Sequence, residues 1–331
     1  MAYTTIDDPA QYFQTVLYTG NGSDDRDITL PGDEDMQPDL VWLKSRDTNN
    51  YNHFWTDSVR GVTKYIKSDA NSAENTLSGS VKAFNSDGFR VGTEADVNNN
   101  TTTYVAWCWK EDTTAGFDIV TYTGASGDQT FAHSLGVAPE WYLVKERGNV
   151  NSWVVNHIGL ANQTNAYLLL NTNDAAGTDS WFNSTAPSSS VVHANDGDSP
   201  TNRNGGTYVM YLWRSVKGFS KFGSFTGNAN TDGPFVYTGF RPAWVLIKNS
   251  SANGENWNLF DNKRNGFNGS GEALRPNTNE AEYDRNVDFL ANGFKVRDSS
   301  GEVSGNGNTL IYMAFAESPL VNSNGVPTNA R

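Results

Sequence analysis

The sequence predicts an all-β protein of three tandem pseudo-repeats, each a β-sandwich-like unit of about 100 residues with long polar loops. Three observations support this prediction. A proline-led apolar phrase occurs three times, an alternating run that ends in Thr-Gly precedes each copy, and an aromatic-rich run closes each copy. Long amphipathic patterns of helical period are missing between these landmarks, so any helices are expected to be short.

The proline-led phrase reads PDLVWLK at 38–44, PEWYLVK at 139–145 and PAWVLIK at 242–248. Its proline cannot donate a ladder hydrogen bond, which suits a strand entrance, and its apolar run suits a strand covered on both faces. Trp42, Trp141 with its neighbour Tyr142, and Trp244 are therefore predicted to be buried. The lysine that ends each copy is predicted to mark the emergence of the strand into solvent.

A second tryptophan follows each phrase and is predicted to belong to the same repeat core; these are Trp55, Trp153 and Trp257. The landmarks divide the chain into an N-terminal arm (1–12), unit 1 (13–112), unit 2 (113–218), unit 3 (219–317) and a C-terminal arm (318–331). Both arms are polar, so we expect them to lie outside the core and to dock on a neighbouring subunit.

Units 1 and 3 agree in further detail, whereas the interior of unit 2 has diverged. SDGF at 86–89 and ANGF at 291–294 predict two-residue hairpins with type I′ turns. Just after the second tryptophan, both units also carry an aspartate and an arginine three residues apart, namely Asp57 with Arg60 and Asp261 with Arg264. A charge-assisted hydrogen bond within each pair would pin a turn, which we favour; the alternative is a polar fork presented to a sugar.

Composition excludes several classes of function. Lys+Arg number 24 against 37 Asp+Glu, giving a net charge of −13, and a chain this acidic is repelled by nucleic-acid phosphates. The N-terminus lacks a signal-peptide pattern, and no apolar run is long enough for a membrane span. The single cysteine, Cys108, sits in a strand-like run and is predicted to be a buried free thiol.

Residues that could carry chemistry are scattered. The four histidines, His53, His133, His157 and His193, lack the close spacing of a metal pair, so no metal or cofactor is expected. Acidic loops at 23–27, 32–36 and 195–199 could hold Ca²⁺, although solvated loops are the favoured interpretation. Glu140 is a candidate glycosidase acid, although a solvated residue of a strand-entry turn is the favoured interpretation.

Several segments, among them IDDPAQYFQTVLYTGNGS, HSLGVAPEWYLVK, GFRPAWVLIKN and YMAFAESPLVNSNGVPTNAR, resemble a family of proteins of unknown function in marine bacteriophages. The resemblance covers Ile6 to Arg331 and supplies no catalytic motif. It implies a non-enzymatic virion structural protein, first of all a tail or fibre component exposed for host-surface recognition.

Two alternatives stay open. A capsid decoration or head-fibre protein would use the same fold to stabilise the shell, and a polysaccharide-degrading enzyme would need paired acids in an aromatic-lined groove. The expected partners are other virion proteins, which the arms would contact, and a host-surface glycan. A homo-oligomer is expected, with a trimer the commonest arrangement on a fibre.

Overall fold

A computed structural model describes residues 3–195, 197, 200–264, 268 and 271–327 of the chain. The prediction of an all-β fold is confirmed, because antiparallel strands dominate and the two α-helices in the described residues span four residues each. A 3₁₀ turn at Pro9–Gln11 precedes the first strand.

Unit 1 contains nine strands and one short helix. They are β1 (Phe13–Thr19), β2 (Arg26–Thr29), β3 (Leu40–Ser45), β4 (Phe54–Asp57), β5 (Lys64–Lys67), β6 (Asn75–Thr76), β7 (Val81–Asn85), β8 (Gly88–Val91), α1 (Ala95–Asn98) and β9 (Thr103–Trp109).

Unit 2 contains eight described strands. They are β10 (Phe117–Thr123), β11 (Gln129–Ala132), β12 (Trp141–Glu146), β13 (Val154–His157), β14 (Ala166–Leu169), β15 (Gly177–Thr178), β16 (Val191–Ala194) and β17 (Thr207–Trp213).

Unit 3 contains nine described strands and the second helix. They are β18 (Ser220–Thr226), β19 (Phe235–Tyr237), β20 (Phe240–Asn249), β21 (Asn258–Asp261), β22 (Glu272–Ala273), β23 (Tyr283–Asp284), β24 (Val287–Leu290), β25 (Gly293–Val296), α2 (Gly301–Ser304) and β26 (Thr309–Pro319).

The same strand order recurs in the large sheet of each unit. Unit 1 has the order β1-β9-β3-β4-β5-β6, unit 2 has β10-β17-β12-β13-β14-β15, and unit 3 has β18-β26-β20-β21. In each case the closing strand lies between the opening strand and the strand of the proline-led phrase. All pairings are antiparallel.

A small sheet covers one face of each large sheet: β2-β8-β7, β11-β16 and β19-β25-β24. The hairpins predicted at 86–89 and 291–294 are present, because Asn85 pairs with Gly88 and Leu290 with Gly293. The prediction of type I′ turns is wrong, since the two central residues of each turn do not have positive φ. Glycine is needed for another reason: a Cβ on Gly88 would lie 2.1 Å from the Ile28 carbonyl oxygen, and the equivalent clash at Gly293 also measures 2.1 Å.

The other face of each large sheet packs into one core that all three units share. Leu40 and Trp42 of β3 point into this shared core, while Val41 and Leu43 point toward the small sheet of unit 1. Every residue of β3 is buried, which confirms a strand covered on both faces. Each unit therefore has its own core between its large and small sheets, and the three units together form a second core between their large sheets.

The N-terminal arm corrects a prediction from polarity. Thr4 and Ile6 are buried, Ile6 belongs to the shared core, and the Thr4 hydroxyl donates to the Lys217 carbonyl oxygen at 2.8 Å. At the other end, β26 runs into the C-terminal arm as far as Pro319, and the Ser323 amide donates to Asp7 Oδ1 at 2.6 Å. Both arms thus contact their own chain. Docking on another subunit remains a prediction.

Candidate functional site

The six tryptophans assigned to the repeat core are buried, with exposed fractions of 0–1%. At the centre of the shared core, Trp141 stacks on Trp213 with ring centroids 4.2 Å apart, and Trp109 meets Trp244 edge to face at 5.6 Å. Trp109 also meets Trp213 at 6.2 Å. Rings from all three units therefore contact one another directly, which makes the units interdependent.

The six tryptophans do not all occupy equivalent positions, as the aligned phrases already indicate for Trp42. Leu40 of unit 1, and not Trp42, occupies the place of Trp141 and Trp244, because these three residues pair with the last aromatic residue of the closing strand. In the same way, His53 precedes β4 as Trp153 precedes β13 and Trp257 precedes β21. Unit 1 thus has histidine at position 53, where the other units have tryptophan, and has tryptophans at positions 42 and 55, where they do not.

Three equivalent hydrogen bonds join the units in a closed ring. In each, a ring N–H donates to a backbone carbonyl of the preceding unit: Trp153 Nε1 to Lys67 O (2.8 Å), Trp257 Nε1 to Leu169 O (3.1 Å) and His53 Nε2 to Arg275 O (3.1 Å). Trp42 Nε1 donates to His53 Nδ1 at 2.9 Å, so the neutral imidazole carries its proton on Nε2. Burial lowers the pKa of His53 well below its usual value and keeps this ring neutral.

Backbone bonds repeat the same ring. We call each interface between two units a seam, and each seam has one amide that donates to a carbonyl oxygen of the next unit: Glu74 N to Arg147 O (2.8 Å), Ala176 N to Ser250 O (2.9 Å) and Glu282 N to Arg46 O (2.7 Å). The seam between units 3 and 1, which no linker joins directly, therefore has the same bond as the two seams within the continuous chain.

The predicted Asp–Arg pairs lie in two of these seams. Asp57 and Arg60 have fully buried side chains in contact, and Arg60 also donates from Nη2 to the Trp55 carbonyl oxygen at 2.8 Å. Tyr211 of unit 2 donates its hydroxyl to Asp57 Oδ2 at 2.6 Å. Because no atom of either side chain faces solvent, the pair pins the seam and does not present a fork to a sugar.

The second pair repeats this arrangement between units 3 and 1. Arg264 Nε donates to Asp261 Oδ2 at 2.6 Å, both side chains are fully buried, and Trp107 Nε1 of unit 1 donates to the same carboxylate oxygen at 2.9 Å. Each pair extends into an ion triad across its seam, Arg60–Glu74–Arg147 in one and Arg264–Glu282–Arg46 in the other.

The seam between units 2 and 3 has other residues at the positions of this network. Its equivalent residues are His157 for the aspartate, Leu160 and Ser250 for the two arginines, and Ala176 for the glutamate. Met313 stands where Trp107 and Tyr211 supply a donor, and His157 Nε2 instead lies 3.1 Å from the Tyr312 carbonyl oxygen. A cavity of about 300 Å³, lined by Leu160, Ala176 and Ser250 among others, occupies the place of the triad. The sequence signal was present, because unit 2 lacks the Asp–Arg pair that units 1 and 3 share.

The lysines that end the three phrases are buried, so the prediction that they emerge into solvent is wrong. Lys145 Nζ donates to the Glu146 carbonyl oxygen at 2.7 Å, and Lys248 Nζ donates to the Glu255 carbonyl oxygen at 2.6 Å. Lys44 makes the equivalent bond to Ser45. Burial lowers the pKa of each lysine to about 8.

A further set of equivalent positions lies near the start of each opening strand, where it passes the preceding unit. Gln14, Asp118 and Lys221 occupy this position in the three units, so its charge differs in each. Beside Asp118 lies Glu111, whose Oε1 accepts from the Ile119 amide at 3.2 Å. The pKa of Glu111 is raised to about 7, mainly by burial and to a lesser extent by the hydrogen bond with Asp118. Sequence reasoning missed this carboxyl pair because the two acids belong to different units.

The Lys221 position opens into a cavity of about 560 Å³. We call it the Tyr–Lys pocket; its walls include Tyr3, Lys217, Lys221, Tyr237 and Glu140. Lys217 Nζ lies 4.5 Å from the centre of the Tyr3 ring, and Lys221 Nζ lies 5.2 Å from that of Tyr237. Glu140 is half-buried at the wall of this pocket and accepts the Ser215 hydroxyl.

The remaining candidates have structural surroundings. Asp24 and Asp25 of loop 23–27 contact Lys82, and Asp27 of the same loop contacts Arg90. In loop 195–199, residues 196, 198 and 199 lie outside the described residues. Within the described ranges, no group of three or more His, Cys, Asp or Glu is placed to hold a metal ion. No helix of the described chain is long and apolar enough to cross a membrane. Cys108 is buried, and burial raises the pKa of its thiol.

The fold and these contacts define the class: an all-β protein in which three units of matching strand order enclose one aromatic core. The chain belongs to the family described as domain of unknown function (DUF7483), whose model matches residues 8–319. That one match spans all three units. A comparison with curated proteins gives no match.

Proposed function

We propose that this chain is a non-enzymatic structural protein of a bacteriophage virion, a tail or fibre component exposed for recognition of the host surface. The observation that carries the proposal is the closed ring of seams. Its charged pairs and aromatic rings are engaged in holding three units together, so the chain forms a rigid support for its surface loops and pockets.

The distribution of differences among the units supports a display function. Backbone bonds at the seams are the same in all three units, whereas the residue at the Gln14, Asp118 and Lys221 position differs in each. This position is buried in units 1 and 2, where Gln14 and Asp118 are each 5% exposed, and it opens to the surface at Lys221 of unit 3. A rigid frame that carries such a distinct surface site is typical of binding proteins. The resemblance to marine bacteriophage proteins indicates that the particle on which the chain is displayed is a phage virion.

Capsid decoration or a head fibre is the second candidate, and one observation favours it. The Ser323 amide donates to Asp7 Oδ1, so the two arms meet at one region of the ring. The described residues contain no helix longer than four residues, hence no coiled-coil shaft. A compact body held by both ends suits attachment to a shell as well as to a tail adaptor.

The test is localisation on intact particles, by cryo-electron microscopy or by gold-labelled antibodies against this chain. Label at the tail supports the first candidate, and label distributed over the head supports the second. Particles that contain no copy of the chain would refute both.

A further inference from the structure

The Tyr–Lys pocket combines several features that a ligand site needs. Its volume of about 560 Å³ lies in the range of small-ligand sites. It is open to solvent, since the Tyr237 side chain is 49% exposed and its neighbour on the same face of β19, Phe235, is 46% exposed. Two large aromatic residues so exposed on one strand are unusual in this chain, whose other tyrosines and phenylalanines are mostly buried.

The charge of the pocket is opposite to that of the protein. The chain carries −13, yet Lys217 and Lys221 line this pocket with Glu140 as the one acid named in its wall. At the position of Lys221 the other units have an amide, Gln14, and a carboxylate, Asp118. A local cationic site on an acidic protein attracts anions, because repulsion by the rest of the surface directs them toward it.

The arrangement of rings and ammonium groups indicates which class of anion fits the pocket. Each lysine lies against the ring of a different tyrosine, and the two tyrosine hydroxyls are 3.5 Å apart, so rings and charges line one continuous wall. Lys221 uses one N–H on the Tyr237 carbonyl oxygen at 2.7 Å, which leaves the other two donors of its ammonium group. Flat rings suit the apolar face of a sugar ring, ammonium groups suit a carboxylate, and Glu140 can accept from sugar hydroxyls.

We propose that the Tyr–Lys pocket binds an acidic saccharide, a glycan bearing carboxylates on its sugar rings. The proposal rests on the proposed function, for which it names the ligand class. Lys217 and Lys221 bind the carboxylate, and Tyr237 with Tyr3 packs against the sugar ring. The pocket lies at the junction of units 2 and 3, so both units contribute to the site.

The test is calorimetric titration of the full chain with tetragalacturonate, which carries a carboxylate on each sugar, and with maltotetraose, a neutral saccharide of the same length. We expect tetragalacturonate to bind at least tenfold more tightly, and its affinity to fall as salt rises. Lys221→Gln should weaken it by about fivefold, the upper range for one exposed ion pair. Tyr237→Ala should weaken it by about tenfold through loss of ring packing.

Lys82→Gln is the matched control, because Lys82 pairs with acids in loop 23–27 of unit 1 and should leave the affinity unchanged. Both pocket residues are at the surface, so their variants are expected to fold, which circular dichroism checks. No binding of tetragalacturonate, equal binding of maltotetraose, or equal loss in Lys82→Gln would overturn the proposal. So would tighter binding of a sulfated tetrasaccharide or of tetraglutamate, which would assign sulfate or peptide chemistry instead.

These results are independent of particle localisation. Label on particles without tetragalacturonate binding refutes the saccharide and leaves the virion proposal standing. Binding by a chain that is missing from particles refutes the virion proposal alone.

Discussion

Replacing Arg60 by leucine, the residue that unit 2 has at this place, should destabilise the whole protein. Arg60 is fully buried and bonds Asp57, the Trp55 carbonyl oxygen and Glu74. Without it, Asp57 keeps the Tyr211 hydroxyl as a donor but loses the only cation in contact with its carboxylate among the described residues. Glu74 keeps Arg147, so the charge left alone is that of Asp57.

The expected cost is about 3–5 kcal/mol, the usual result of removing one partner from a buried ion pair. The double variant Asp57→His with Arg60→Leu, which copies His157 and Leu160 of unit 2, should cost about 2 kcal/mol less than Arg60→Leu alone, because no charge is then left uncompensated.

Guanidinium chloride unfolding followed by tryptophan fluorescence measures both values. Arg90→Leu is the matched control, since Arg90 also pairs with an aspartate, but at the surface, and its loss should change stability little. A loss below 1 kcal/mol for Arg60→Leu, or a double variant less stable than the single one, would show that the pair does not hold the seam.

Three more outcomes are expected. Residues 13–112 expressed alone should show no cooperative unfolding by circular dichroism, because one face of the large sheet would expose its tryptophans to water. A cooperative transition would contradict the shared core. The pKa of Glu111 is about 7 in the folded protein and about 4.5 in the unfolded chain, so the stability that Glu111 contributes is full below this pH range and is lost as pH rises through it. Glu111→Gln should therefore make the free energy of unfolding fall less steeply between these pH values. Unfolding at pH 5 and pH 8 measures this, and an unchanged slope would refute it. Ala176→Glu with Ser250→Arg should restore a seam pair and add about 0.5–1 kcal/mol, whereas Ala176→Glu alone should add nothing; equal effects would mean that no pair forms.

Sequence predicted what depends on local pattern. Alternation and composition were enough to place the phrase strands, the closing strands and the hairpins, and to assign Trp42, Trp141 and Trp244 to the interior. A long apolar strand also indicated cover on both faces. Local pattern does not show which part of the protein packs on each face of a strand. Both faces were therefore predicted to be covered by the same unit, whereas one face packs against the two neighbouring units.

The lysine error has the same origin. A lysine at the end of a strand normally reaches solvent, and Lys145 would do so in an isolated unit. In the ring, the 67–75 region of unit 1 covers this strand end, and Lys145 Nζ lies 3.5 Å from the Asn71 carbonyl oxygen. The Glu74–Arg147 contact was missed for this reason too, because its residues belong to different copies of the repeat.

The seam between units 3 and 1 has a consequence for the origin of the chain. It carries the same backbone bond as the seams whose units are consecutive in sequence, so peptide linkage between units contributes nothing particular to the interface. Three separate copies of a hundred-residue ancestor could close the same ring as a homotrimer. A single chain, unlike a trimer of identical copies, leaves each unit free to differ from the others. The seam between units 2 and 3 has no ion triad, and unit 3 alone has a cation at the position of Gln14 and Asp118, differences that identical subunits could not hold.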